Sequence, residues 1–376
     1  MGAGNLRRTM PLAAMAICLT TALASAGDGA VGTWSKDRAA KYLDERGKAW
    51  FEFKAAERGE RANKSTCVSC HTLVPYALAR PALRRLSGTT QPTVYETRLL
   101  DQIRNRVDHW QQLDSKEFDL LYSFSEPKKR EAWGTEAVLN CLILAFDDQY
   151  ERRDQPRALT KKAFVHIWQT QATDGDKAGS WNWLDFGLQP WEAKEARYFG
   201  ATLAAIAVGT APGYYTAGKD AEIDKRVTLL KTYLRAHLPD QNLNNRIWML
   251  WAASKLDGLL SQTEQQPIVQ ALLDKQHADG GWDLSSLVKK PRAEVGGKAI
   301  DSDAYATALI VHVLQTAGIP KHDGGLARGL AWLQAHQADT GAWQSNSVNK
   351  KRDPNTHVGK FMSDAATAFA VLALSH

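Results

Sequence analysis

The sequence predicts an all-α protein, an α/α toroid of about six inner and six outer helices, and three observations predict it. Apolar helical segments rich in small residues alternate along the chain with charged segments that are apolar on one face only. A threonine recurs early in the apolar segments, at Thr72, Thr135, Thr202, Thr307 and Thr367, with steps of 63, 67, 105 and 60 residues; an additional segment around 248–253 fills the long step. Strand signals are almost absent. A helix smooth on all sides is buried among other helices, and a one-faced helix lies outside them. The alternation therefore reads as an inner ring of near-parallel helices within an outer ring.

Taken in order, residues 1–26 read as a secretory signal: Arg7 and Arg8 open it, 10–23 is apolar, and Ala24-Ser25-Ala26 fits a small-residue cleavage site. The apolar run is too short to span a bilayer comfortably. No second long apolar segment follows, so no transmembrane segment is expected after signal removal, and the expected location is periplasmic or secreted. Residues 27–376 read as a single toroid domain, because consecutive helical hairpins bury one shared core. The inner helices are expected at 70–86, 133–147, 195–208, 244–259, 302–316 and 363–375, and the outer ones at 36–57, 95–112, 159–171, 222–237, 265–277 and 325–337. The one-faced character of the outer set is plainest at Val227, Leu230 and Leu234, at Ile268 and Leu272, and at Leu330 and Leu333.

Charge excludes one class of function. The chain has 47 Lys and Arg against 41 Asp and Glu, and losing Arg7 and Arg8 with the signal leaves 45 against 41. That small excess is spread along the chain and is not a nucleic-acid footprint. Beyond Cys18 only Cys67, Cys70 and Cys141 remain, too few for a disulfide framework.

The sharpest motif is Thr66-Cys67-Val68-Ser69-Cys70-His71-Thr72. C-x-x-C-H is the attachment signature of c-type haem: each thiol can add to a vinyl group, and the adjacent imidazole reaches the iron from the same side. The expected cofactor is therefore covalent haem c, with thioethers at Cys67 and Cys70 and His71 as proximal ligand, set in the first inner helix. No methionine lies between Met15 and Met249, so this is no appended small cytochrome. Distal candidates are Met249, Met362, His109 and His312, or no residue. A zinc site, a redox dithiol and chance occurrence stay open as other readings of the same three residues.

Gln276-His277-Ala278-Asp279-Gly280-Gly281-Trp282 and Gln337-Ala338-Asp339-Thr340-Gly341-Ala342-Trp343 both fit Q-x-x-x-G-x-W, and a looser copy runs from Gln171 to Trp181. This resembles the repeat of squalene–hopene cyclases and related prenyltransferase-like toroids, over residues 157–376. The resemblance implies the fold. It implies an acid catalyst at Asp303 less well, since Asp301-Ser302-Asp303-Ala304 lacks the last aspartate of the D-x-D-D pattern, and Asp303 equally suits a helix N-cap. The whole pattern looks like exported bacterial proteins that join a squalene-cyclase-like repeat to a cytochrome-c-type motif.

A loop holding Trp181, Trp183, Phe186 and Trp191 leads into the third inner helix. It is expected near the mouth where the inner helices begin, either as a wall for an apolar or sugar-like ligand, with Glu192 or Asp185 as polar contact, or as a hydrophobic plug. Lys289, Lys290, Arg292, Lys350, Lys351 and Arg352 are expected on a basic rim that is solvated or docks an acidic redox partner protein. The function expected from these features is an exported haem c protein engaged in electron transfer or redox chemistry on a ligand in the barrel. The alternative is a terpenoid-cyclase-like enzyme or a lipid- or glycan-binding toroid in which C-x-x-C-H is incidental.

Overall fold

The computed structural model describes residues 1–2, 34–59, 64–289, 291 and 301–376. The expected signal, apart from Met1 and Gly2, lies outside the described residues, as do Lys290 and Arg292. Twelve α-helices are described. The inner six are α2 (Leu73–Leu86), α4 (Glu126–Tyr150), α6 (Ala196–Thr210), α8 (Leu243–Lys255), α10 (Ala304–Thr316) and α12 (Phe361–Leu374). The outer six are α1 (Lys36–Phe51), α3 (Val94–Asp108), α5 (Ala158–Thr170), α7 (Ala221–His237), α9 (Gln262–Leu273) and α11 (Gly324–Ala335). The inner helices pack in succession, α2 on α4, α4 on α6, α6 on α8, α8 on α10, α10 on α12, and α12 back on α2, which closes the ring. This is an α/α toroid.

Local chemistry sets the boundaries. Ser35, Ser125 and Asn242 accept from the third backbone N–H of α1, α4 and α8; Thr93 and Ser261 form capping boxes with Glu96 and Glu264. Ser125, with Pro127 in the first turn, starts α4 at Glu126, seven residues ahead of the expected 133. The first outer helix stops at Phe51, short of the expected 57, because the following chain turns into a two-residue antiparallel ladder, β1 (Glu57–Arg58) on β2 (Ser65–Thr66).

The repeated Gln-Gly-Trp turns are joints between successive hairpins, and all three copies make the same bonds. The indole Nε1 of Trp181, Trp282 and Trp343 donates to the carbonyl of Ile167, Leu272 and Leu333 near the end of the preceding outer helix, at 2.7, 2.7 and 2.8 Å. The amide of Gln171, Gln276 and Gln337 donates to the glycine carbonyl of its own turn and also reaches the next outer helix or its cap, at Arg226, Gly325 and Ser35. The last of these ties the sixth hairpin to the start of the first. The recurring threonines complete the joint: Thr307 and Thr367 hydroxyls accept from the backbone N–H of Trp282 and Trp343, and Thr135 accepts from Leu184.

Candidate functional site

The inner helices begin at one mouth of the ring, and a cavity of about 240 Å³ opens there. Its wall comes from four places: the end of α1 at Trp50, the segment Cys67–His71 ahead of α2, the loop before α6, and the loop before α12.

The C-x-x-C-H segment lies ahead of the first inner helix and not inside it. Ser69 Oγ accepts from the N–H groups of Thr72 and Leu73, so its side chain caps the helix, which starts at Leu73. The segment is pinned to α1 and its sequel: Trp50 Nε1 donates to the Cys67 carbonyl at 2.9 Å, and Cys67 N–H donates to the Ala56 carbonyl. Burial raises both thiols above their ordinary value, Cys70 the further, although Tyr122 donates to Cys67 Sγ over 3.6 Å. Neither is a ready thiolate, which argues against the redox-dithiol reading.

His71 belongs to a buried relay. Thr72 Oγ1 donates to Asp364 Oδ2 at 2.8 Å, so it accepts from His71 Nδ1, 2.8 Å away. The ring proton therefore sits on Nδ1 and the lone pair on Nε2. Asp364 also accepts from Tyr42 at 3.0 Å and from Arg46 Nε at 2.6 Å. Burial, with Arg46, His357 and Arg352 nearby, pulls His71 down to about 3. Phe361 stacks on its ring with centroids 4.0 Å apart, and Trp50 meets it edge-on at 5.0 Å.

The loop before α6 folds back on itself through paired bonds between Leu188 and Glu192. Trp181 and Trp183 are core residues, and only Phe186 and Trp191 of the four aromatics face the cavity. Asn349 exchanges two hydrogen bonds with the Gln189 backbone and so clamps this loop to the one before α12. Glu192 lines the cavity, and its carboxyl has no hydrogen bond or ion pair with a described residue. Desolvation raises it to about 7, against a smaller opposing pull from Lys128. Asp185 instead accepts from the N–H of Gly187 and is not part of the cavity wall.

The structure separates the other expected residues. Met362 lines this cavity. Met249 is fully buried within α8, and His109 ends outer helix α3, stacked on Phe118. His312 lies toward the C-terminal end of α10, at the opposite mouth. Asp303 is the N-cap of α10: its carboxylate accepts from Ala306, Leu284 and Ser345. Of the rim cations, Arg352 reaches the cavity, and Lys289 donates to the Asp240 carbonyl.

The chain matches no family model and no curated protein. Solved structures do resemble it. A UGL variant with the saccharide dGlcA-Glc-Rha-Glc aligns at TM-score 0.54 and 10% identity, over 90% of this chain and 95% of that one. A glycosidase variant aligns at 0.49 and 11%, over 90% and 97%, and an unsaturated glucuronyl hydrolase variant from Streptococcus agalactiae at 0.47 and 10%, over 92% of each. At these identities the likeness establishes the toroid fold alone.

These findings correct the expected function. The structure that aligns at TM-score 0.54 carries a saccharide in its name. Among the described residues no group of three or more His, Cys, Asp or Glu is placed to hold a metal ion, so Cys67, Cys70 and His71 do not converge on one point as a zinc site would require. The electron-transfer reading gives way to the alternative, a ligand-binding toroid.

Proposed function

We propose that this chain is a glycan-binding toroid that takes a sugar ring into the mouth cavity and presents Glu192 to it as a proton donor. The observation that carries this reading is Glu192 itself, an unpaired carboxylic acid held near neutrality in an aromatic-walled cavity. The C–H faces of a sugar suit aromatic walls such as Phe186, Trp191 and Trp50, and its hydroxyls suit the few polar groups between them, Ser347 and Arg352 among these. A carboxyl poised near the working pH is suited to give a proton to a departing glycosidic oxygen. Among the described residues lining the cavity Glu192 is the one carboxyl, so the two-carboxylate arrangement of most glycosidases is not met there. Export directed by residues 1–26 would bring such a cavity to glycans outside the cytoplasm.

The test uses calorimetry and reducing-end release with a panel of neutral and uronic-acid-bearing oligosaccharides. One class is expected to bind, about tenfold more weakly in Phe186→Ala, whose side chain is exposed enough to be removed without a core defect. Glu192→Gln is expected to keep binding and lose release. Absence of binding across the panel overturns the reading. So does an intact mass, for protein made in cells able to attach haem to C-x-x-C-H, that exceeds the polypeptide by a haem.

A further inference from the structure

The ring has a second opening, where the inner helices end. A cavity of about 480 Å³ lies there, between the last turns of α2, α4, α8, α10 and α12. Its floor is a run of rings in contact: Tyr150 and Phe146 at 6.3 Å, Phe146 and Trp251 at 6.1 Å, Trp251 and His312 at 4.9 Å, His312 and His376 at 5.7 Å. Beside neutral Gln149, Thr316 and Ser375, the charged side chains around that floor are of one sign. Arg85 lies over the Tyr150 ring at 4.6 Å, and Lys255 stands beside the two histidines. Neither cation has a carboxylate partner, and no Asp or Glu lines the cavity among the described residues. The main-chain oxygen of His376 is held by Lys321.

Three buried polar atoms here have no partner. Trp251 is 1% exposed and His312 6% exposed, yet the indole Nε1 and both imidazole nitrogens lack hydrogen bonds. A buried donor left unpaired costs roughly 1–3 kcal/mol, and such orphans mark places where a partner from outside completes the structure. An indole N–H can only donate. Two unpaired cations and an unpaired donor above an aromatic floor call for an acceptor with negative charge and an apolar or planar body.

We infer that this second mouth is a binding site for a small organic anion, a phosphate or carboxylate carried on an apolar or aromatic body, with Arg85 and Lys255 taking the charge and Trp251 and His312 the hydrogen bonds. The site is separate from the Glu192 cavity and does not depend on the glycan reading. Burial and the nearby His376 and Lys255 hold His312 down at about 3. An anion placed beside it raises that value, which gives a readout independent of affinity.

The test is titration of the full chain with phenyl phosphate, benzoate and inorganic phosphate, followed by calorimetry and by the NMR shift of the His312 ring. Phenyl phosphate or benzoate is expected to bind at least fivefold more tightly than inorganic phosphate, because only the organic anions use the ring floor, and to shift the His312 resonances. Arg85→Ala and Lys255→Ala are each expected to weaken binding at least fivefold, while Lys116→Ala, which removes an exposed cation from the loop after α3, leaves it unchanged. Binding of equal strength in the Arg85→Ala/Lys255→Ala double variant, or no binding of either organic anion at 10 mM, overturns the proposal. A loss of the same size in Lys116→Ala would also overturn it, by showing only a general charge effect.

Discussion

Asp364 is buried and Glu192 half-buried, and their surroundings give them opposite parts. Asp364 accepts from Arg46, Tyr42 and Thr72 and is a structural anchor. Asp364→Ala leaves the Arg46 guanidinium, itself 6% exposed, without its partner; breaking such a pair costs about 3–5 kcal/mol. Urea denaturation should show a loss of that size, with Asp364→Asn losing less because its one amide oxygen still accepts from Tyr42 or Thr72. Glu192 has no such partners, and its carboxyl rises from an ordinary 4.5 to about 7. A raised carboxyl is neutral in the fold at pH values where the unfolded chain ionises it, so stability is undiminished below 4.5 and falls as pH rises through about 7. Glu192→Gln removes that penalty. Its melting temperature should equal the parent's at pH 4 and exceed it by a few degrees at pH 8, and a constant offset at both values would contradict the assigned shift. Proton donation by Glu192 follows the same titration, so release of sugar should decline above pH 7.

The element that repeats is the joint between hairpins, and its glycine is fixed by two requirements. Gly341 has φ +88°, and a Cβ there would sit 2.1 Å from the Arg38 carbonyl oxygen of the next outer helix. Gly218 has a similar φ of +80° with nothing within 4 Å. Left-handed backbone alone costs a side chain about 1–2 kcal/mol. Gly218→Ala should therefore lose about 1 kcal/mol, and Gly341→Ala clearly more, since the backbone of α1 must also move. Equal losses in chemical denaturation would mean that close approach plays no part. The first third of the chain carries no Q-x-x-x-G-x-W copy, and its joints use other chemistry: the Trp50–Cys67 bond and the small ladder of β1 on β2.

At the scale of the molecule the governing fact is closure. An open helical array can fray from its ends, because each repeat touches only its neighbours. Here α12 packs on both α1 and α2, and Gln337 bonds to Ser35 across the seam, so the ring has no free end. Unfolding should be one cooperative step, with far-UV circular dichroism and tryptophan fluorescence superimposing. A separate early transition in one probe would show that the seam opens first. Closure also produces two unlike mouths. Helix starts, aromatic loops and Glu192 gather at one, and helix ends, Arg85, Lys255 and His312 at the other.

Helix number, alternation and the three turns were readable from residue order, because periodicity and capping are local properties that neighbours along the chain decide. The boundaries at Glu126 and Leu73 were less so: Ser125 with Pro127, and Ser69, act as caps only through their hydrogen bonds, and these shifted C-x-x-C-H out of the helix. The aromatic loop was legible as a feature, but not the division that sends Trp181 and Trp183 into the core and leaves Phe186 and Trp191 at the cavity. Nor could spacing say that Met362 would reach the first mouth while His312 went to the second, or that Glu192 would be left unpaired. A motif specifies which groups a segment offers, whereas the space, solvent and partners around those groups come from residues hundreds of positions away. Those surroundings exist only once the ring has closed.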